Sequence, residues 1–460
     1  MSAAMGRYKP YPECKDSGVD WLGEVPATWK VSKVKYLALF QVGWTPPSKI
    51  DANFVGDNLW ANISDIKSKV VNNTAKNISD RAASEASMSI TPKGSLLYSF
   101  KLSVGAVGFA GRDMYTNEAI ASFLDLGELP LSYQYYAFPI MIIKNAATNI
   151  YGANILNQEL ISNADLLAPP FEEARTIASF LDHETGKIDA LIEEQERLIT
   201  LLKEKRQAVI SHAVTKGLNP DVPMRPSGIE WLGDIPAHWK LTRVKHQIDK
   251  LEQGWSPECE NNTKQDDEWG VLKAGCVNRG IYNPDDHKKL PTGAVPKENI
   301  EVHQGDIIIC RASGSRELIG STAYVHRTYS KLMLSDKLFR PVLTKNKIHA
   351  EFFTHVLASK FSRQQIEVSI GGAEGLANNI TKETIKNIIH LLPGMNEQVQ
   401  IVSFINKQNL KLDGLVSKAQ SVTALLSERR TALISAAVTG KIDVRDWEPP
   451  KDTKIGEEAA

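Results

Sequence analysis

The sequence predicts a mixed α/β (α+β) fold in which one globular module is written twice and each copy runs into a long helix. Three observations predict it. SGVDWLGEVPATWK at 17–30 returns as SGIEWLGDIPAHWK at 227–240; nine of 14 positions are identical, and four more exchange Val for Ile or Asp for Glu. Each copy ends on a proline-free stretch whose apolar residues alternate at spacings of four and three. Between phrase and ending lie short β-branched runs bounded by Gly and polar residues.

The first module is expected over 1–168 and its helix over 169–218; the second module over 219–392 and its helix over 393–445; a flexible tail over 446–460. Within the modules, GSLLYSF, VGAVGFAG, GDIIICR and GSTAYV read as strands. YQYYAFPIMIIKNAA and HAEFFTHVLASKFSRQQIEV read as helices. The repeat also covers QVGWTPP against QGWSPE and PKGSLLYSF against HQGDIIICR. The offset between copies grows from 210 at the opening phrase to 224 at Pro169 and Pro393, so the second copy carries extra residues in its middle. Trp21, Trp29, Trp231 and Trp239 have no paired basic stripe and read as packing anchors.

The helical endings are the most legible part. In the first, Ile177, Leu181, Ile188, Leu191, Leu198 and Leu202 form a seam with Glu184 and Gln195. In the second the seam is Ile401, Ile405, Leu412, Leu415, Val422 and Leu426, with Gln408 and Ala419. Pro169-Pro170 and Pro393-Gly394 precede the helices, and Gly217 and Gly440 follow them, as start and stop signals do. A lone amphipathic helix leaves its seam wet. Two matched seams in one chain most simply bury each other, as an antiparallel coiled coil with a pseudo-twofold relation between the halves.

The totals exclude several classes. No run of 18 apolar residues is present, so no transmembrane helix is expected, and the N-terminal MSAAMGRYKPYPECKDSG has no apolar signal core. These point to a cytoplasmic protein. Cys14, Cys259, Cys276 and Cys310 show no metal-ligand spacing and read as reduced thiols; no metal is expected. The charge balance is neutral, with 54 Lys plus Arg and 54 Asp plus Glu, which argues against indiscriminate nucleic-acid binding but leaves room for a basic groove on one face.

Read together, the framing phrases, the Gly-Trp-Thr-Pro-Pro run, KGSLLYSF, RASGSRELIG, and the endings PPFEEARTIASFLDHETGKIDALI, EKRQAVISHAVTKG and ERRTALISAAVTGK resemble the specificity subunits of Type I restriction-modification enzymes. The resemblance covers residues 17 to about 445. It implies two target recognition domains, each reading half of a split double-stranded DNA site, with the helices as a ruler between them. It also implies two modification (methyltransferase) subunits and restriction (nuclease and translocase) subunits as partners, and a non-catalytic role for this chain.

The common catalytic signatures fail accordingly. Ala168-Pro169-Pro170-Phe171 lacks the Asn or Asp of an adenine methyltransferase motif. Gly105, Gly108 and Gly111 make GxxGxxG rather than GxGxxG, Gly186-Lys187 lacks the upstream glycine of a P-loop, and His183-Glu184 has no second His four residues on. No catalytic residue and no cofactor is expected. A self-contained methyltransferase and a tether joining two protein-binding modules are the competing classes. DNA affinity needs cations at phosphates, and specificity needs polar side chains at base edges. The candidates near the strand-turn motifs are Lys93, Lys101, Arg112 and Asn117 in the first module, and Arg279, Arg311, Arg316 and Lys337 in the second.

Overall fold

The computed structural model describes residues 8–148, 154–259, 261–370 and 378–449; of Asn154 and Arg279 the backbone alone is described. The tail expected over 446–460 lies outside the described residues from 450 onward. Contacts divide the chain into two compact units, one of residues 1–195 and 421–460, the other of residues 196–420.

The first unit is built on a sheet of five strands in the order Leu39–Val42, Ile120–Leu124, Leu96–Ser99, Val107–Ala110, Val70–Val71. The last pairing is parallel and the others are antiparallel. Leu96, Leu97, Tyr98, Ile120, Ala121 and Phe123 are fully buried, as central strands with both faces covered require. A second sheet orders Tyr115–Thr116, Asn58–Ala61 and Lys76–Ile78. The helix expected from YQYYAFPIMIIKNAA forms over Leu131–Met141 and buries Tyr133, Ala137 and Phe138.

The second unit repeats the scheme. Its four-stranded antiparallel sheet orders Ile248–Gln253, Leu338–Leu343, Ile307–Cys310 and Thr322–Tyr324. Its three-stranded sheet pairs Gly270–Leu272 in parallel with Leu332–Met333, as Asn58–Ala61 pairs in parallel with Tyr115–Thr116. One difference from the sequence reading concerns HAEFFTHVLASKFSRQQIEV. It makes two helices, Ala350–Ala358 and Lys360–Val368, not one. Ser359 adopts an extended conformation between them, and its Oγ accepts from the Ser362 amide, so a capping residue breaks an otherwise helical pattern.

The opening phrase forms the same small structure in both units. Cys14–Asp16 pairs with Glu24–Pro26, and Met224–Pro226 pairs with Asp234–Pro236. Gly18, Gly23, Gly228 and Gly233 all take positive φ in the tight returns, which explains the glycines of the phrase. The Trp closing each hairpin is buried: Trp29 is 0% exposed and Trp239 1%. The other Trp of each phrase is not an internal anchor, since Trp21 is 36% and Trp231 50% exposed.

The two long helices run over Phe171–Lys216 and Met395–Val438. At ~1.5 Å per residue these are rods of roughly 65–70 Å. Gly217 and Gly440 follow with φ of 80° and 70°. In the first unit the start of the first helix and the end of the second share a core that includes Ile177, Leu181, Ala437 and Val438. In the second unit Ile210, Ala213 and Val214 share a core with Ile401 and Ile405. Within the first unit Arg430 Nε lies 2.8 Å from Asp189, and within the second Arg206 pairs with Asp413.

The seam residues divide by position. Ile177, Leu181, Ile188, Leu202, Ile401, Ile405 and Leu412 are buried, and Leu426 is half-buried. Leu191, Leu198, Leu415 and Val422 are exposed, between 41% and 51%.

Candidate nucleic-acid interface

In each unit three segments converge beside the main sheet. The first is the Gly-Trp loop that follows an edge strand. Gly43 lies so close to the chain that an added Cβ would fall 1.8 Å from the Thr116 carbonyl; at Gly254 it would fall 2.0 Å from that of Leu334. Only glycine permits this approach. The next residue fastens the loop: the Trp44 amide donates to Thr116 O at 2.9 Å and the Trp255 amide to Leu334 O at 3.0 Å.

The second segment is the turn after the strand paired in parallel. There a carboxylate receives the loop's hydroxyl. Thr45 Oγ1 donates to Glu118, and Ser256 Oγ donates to Asp336 at 2.5 Å. The third segment is the end of a central strand: the Phe100 amide donates to Ala119 O and the Arg311 amide to Lys337 O. Thus a hydroxyl–carboxylate latch of the same kind stands at the same place in both units. The sequence shows its loop half as GWTPP and GWSPE, but Glu118 and Asp336 are 73 and 80 residues away from their hydroxyl partners. That separation hides the pair from any local pattern.

The two latches differ in their surroundings. Asp336 is enclosed by cations. Lys337 Nζ lies 3.1 Å from its second oxygen, and Arg311 donates to the Asp336 carbonyl while lying 6.0 Å over the Phe339 ring. Burial alone would raise the Asp336 carboxyl; the Ser256 hydroxyl and the Lys337 ammonium outweigh burial and hold it below its usual range. Trp255 carries Lys297 Nζ at 4.4 Å from its ring centre. In the first unit the carboxylate opens instead onto a hollow of about 430 Å³. Its walls are Val42, Gly43, Phe100, Lys101, Glu118, Asn157, Gln158 and Glu159.

The sequence candidates fall around these latches unevenly. Lys101 is on the hollow, with Nζ 5.8 Å over the buried Phe100 ring. Asn117 immediately precedes Glu118, but its Oδ1 accepts from the Ala119 amide at 3.1 Å and so shapes the turn. Lys93 and Arg112 are exposed at the turns flanking Leu96–Ser99 and Val107–Ala110, where the Lys93 amide donates to Asp113. Arg311 and Lys337 are on the second latch. Arg316 is exposed and donates to the Glu367 carbonyl, next to Arg363, which donates to the Arg316 carbonyl. The Arg279 side chain lies outside the described residues. Thr45, Glu118, Gln158, Glu159, Ser256 and Asp336 were not among the candidates. Gln158 and Glu159 sit in the first turn of the short helix Gln158–Ser162, which Asn157 caps through the Leu160 amide.

Residues 26–201 match the family model of the Type I restriction modification DNA specificity domain. Over that stretch the chain is similar to Type I DNA specificity domains. That family is the one the framing phrases resemble. Over 255 residues the chain is 30% identical to the EcoEI specificity subunit of Escherichia coli, covering 55% of this chain and 43% of that one. Over 321 residues it is 24% identical to the EcoKI specificity subunit of E. coli K12, covering 67% of this chain and 65% of that one. The matches thus span less than two thirds of the length of either curated relative. A solved chain from work on complex assembly and conformational transition of the type I R-M system superposes with a TM-score of 0.66 at 14% identity, covering 91% of this chain and 99% of that chain. That similarity establishes the shared mixed α/β architecture. The matched stretch includes the first latch and its hollow, and the hydroxyl–carboxylate pair of the second unit lies beyond it.

Among the described residues no group of three or more His, Cys, Asp or Glu could hold a metal ion. Among them no helix is long and apolar enough to cross a membrane.

Proposed function

We propose that this chain is the DNA-sequence-specificity subunit of a Type I restriction-modification system. It reads a bipartite double-stranded site with two target recognition domains, residues 1–168 and 219–392. The helices at 169–218 and 393–445 pair as an antiparallel coiled coil and set the distance between the half-sites, and 446–460 is a tail. The observation that carries this reading is the second unit. A family-matched stretch is followed by a unit whose main sheet keeps the order of four of the first unit's five strands, with the same framing hairpin and the same latch, but different side chains around it. One frame with two fillings is what reading two different half-sites requires.

In this reading Lys93, Lys101 and Arg112 serve the first half-site and Arg279, Arg311, Arg316 and Lys337 the second, chiefly as cations near phosphates. The chain itself performs no chemistry. Two modification subunits dock on it to methylate adenine, restriction subunits complete the nuclease, and the assembly works in the cytoplasm where DNA is. The neutral total charge fits a chain whose DNA affinity is completed by its partners.

Methylation-aware long-read sequencing tests this directly. Cells carrying the chain with its modification partner are compared with cells lacking the chain. The expected outcome is a split, asymmetric methylated-adenine motif that disappears with the chain. An unbroken motif, or methylation that persists without the chain, overturns the reading.

A further inference from the structure

The two latches share their hydroxyl–carboxylate bond but not its consequence. In the second unit both carboxylate oxygens of Asp336 are occupied, one by Ser256 and one by Lys337. In the first unit Thr45 takes one oxygen of Glu118, and the other, Oε1, takes no bond from any described residue. Glu118 lines the hollow of about 430 Å³ together with Phe100, Lys101, Asn157, Gln158 and Glu159.

A carboxylate can serve a base in one way: it accepts a hydrogen bond. In the major groove the groups that donate are the exocyclic amines, N4 of cytosine and N6 of adenine. Guanine offers only acceptors there and thymine offers an acceptor and a methyl, and both would set a lone pair against the carboxylate. An orientation fixed by a second bond raises discrimination, because the acceptor does not swing away from a wrong base. Thr45 supplies that bond, and its own position is fixed by the Gly43 contact and the Trp44 amide. Lys101, with its ammonium over Phe100, offsets the cost of bringing a carboxylate toward phosphates.

We propose that Glu118 is a specificity-determining residue of the first unit, accepting from the exocyclic amine of a cytosine or adenine in one half-site, with Thr45 as its positioning residue. This rests on the recognition function proposed above. The second unit does not use its latch this way, because Lys337 closes the free oxygen of Asp336.

The test uses the full chain with its modification subunits and the genomic DNA of the host as probe, read by methylation-aware sequencing. Glu118→Gln is expected to relax a single position of one half-site. Sites carrying the wrong base there should gain methylation on the order of ten- to hundredfold relative to the wild-type chain, while the other half-site stays unchanged. Thr45→Val should relax the same position by a smaller factor, and Thr45→Ser should restore it, which a merely structural role would not produce. An assembled Glu118→Gln complex with an unaltered motif, or one that loses methylation at all sites alike, overturns the proposal. Should Glu118→Gln fail to assemble, Thr45→Val decides: an assembled complex with an unaltered motif overturns it equally. A wild-type chain that yields no split motif overturns the recognition function itself, and so separates the two failures.

Discussion

Glu173 and Glu397 do at the start of each long helix what no local pattern announces. Trp29 Nε1 donates to Glu173 at 2.8 Å and Tyr11 Oη donates to the same oxygen at 2.6 Å. Trp239 Nε1 donates to Glu397 at 3.0 Å, where His238 also bonds. Each carboxylate lies in the first turn of its helix, where the helix dipole favours negative charge. Glu173→Ala should cost about 2–4 kcal/mol in denaturant unfolding, since it leaves the buried Trp29 and Tyr11 donors unpaired. Glu397→Ala should cost less, about 1–3 kcal/mol, because His238 is half-exposed and can turn to water. Equal costs would show that burial of the donors is not what matters. The Trp residues were legible as anchors only as a group. Nothing in WLGEVPATWK tells Trp29 from Trp21, because the distinction depends on a helix that begins some 140 residues later.

Two histidines give the second unit a pH dependence with a definite sign. Burial pushes His355 and His390 down from 6.5 to about 4. Above pH 6.5 both are neutral whether the chain is folded or unfolded, so no stability is lost there. Between pH 6.5 and about 4 the unfolded chain takes up protons that the folded chain refuses, so stability falls as pH falls through that window. Below about 4 the loss levels off. Melting followed from pH 7 to pH 5 should show this decline, and replacing both residues by Gln should flatten it. A slope unchanged by the double variant would place the protonation elsewhere.

At the scale of elements, the long helices and their boundaries were readable because heptad spacing and Gly and Pro punctuation are local signals. The glycines at their ends and in their interiors should behave oppositely. Gly440 has φ of +70°, and an added Cβ would meet Pro26 Cδ at 2.2 Å. Gly440→Ala should therefore destabilise by about 1–3 kcal/mol. Gly186 sits exposed inside the first helix with nothing within 4 Å of a Cβ, so Gly186→Ala should stabilise by about 0.5–1 kcal/mol. Thermal melts of the two variants check both signs together. What the element-level reading missed was a break: Ser359 can cap a helix as readily as ride within one, and only its Oγ bond to Ser362 decides. The exposed Leu191, Leu198, Leu415 and Val422 carry the same lesson for the seam, since spacing says which residues share a face but not what covers it.

For the whole molecule, the ruler reading makes modular predictions. Exchanging residues 17–168 for the first module of a Type I specificity subunit should, on this reading, change one half of the methylated motif and leave the other. Inserting one heptad after Leu191, matched by one after Leu415, should lengthen the unread spacer and leave both half-sites intact. Motif sequencing checks both, and an unchanged motif in both cases would end the modular account.

The sequence by itself determined the repeat, the two long helices, the mixed α/β class and the family resemblance, because each is written in residues close together along the chain. Only the tertiary structure decided which of the cations and carboxylates meet. Thr45 and Glu118, Ser256 and Asp336, and Trp29 and Glu173 are brought together by strand order and helix packing across some 70 to 145 residues. The physical reason is range: helix periodicity and turn chemistry act over a few residues, whereas a site is assembled by burial of surfaces that the chain makes far apart.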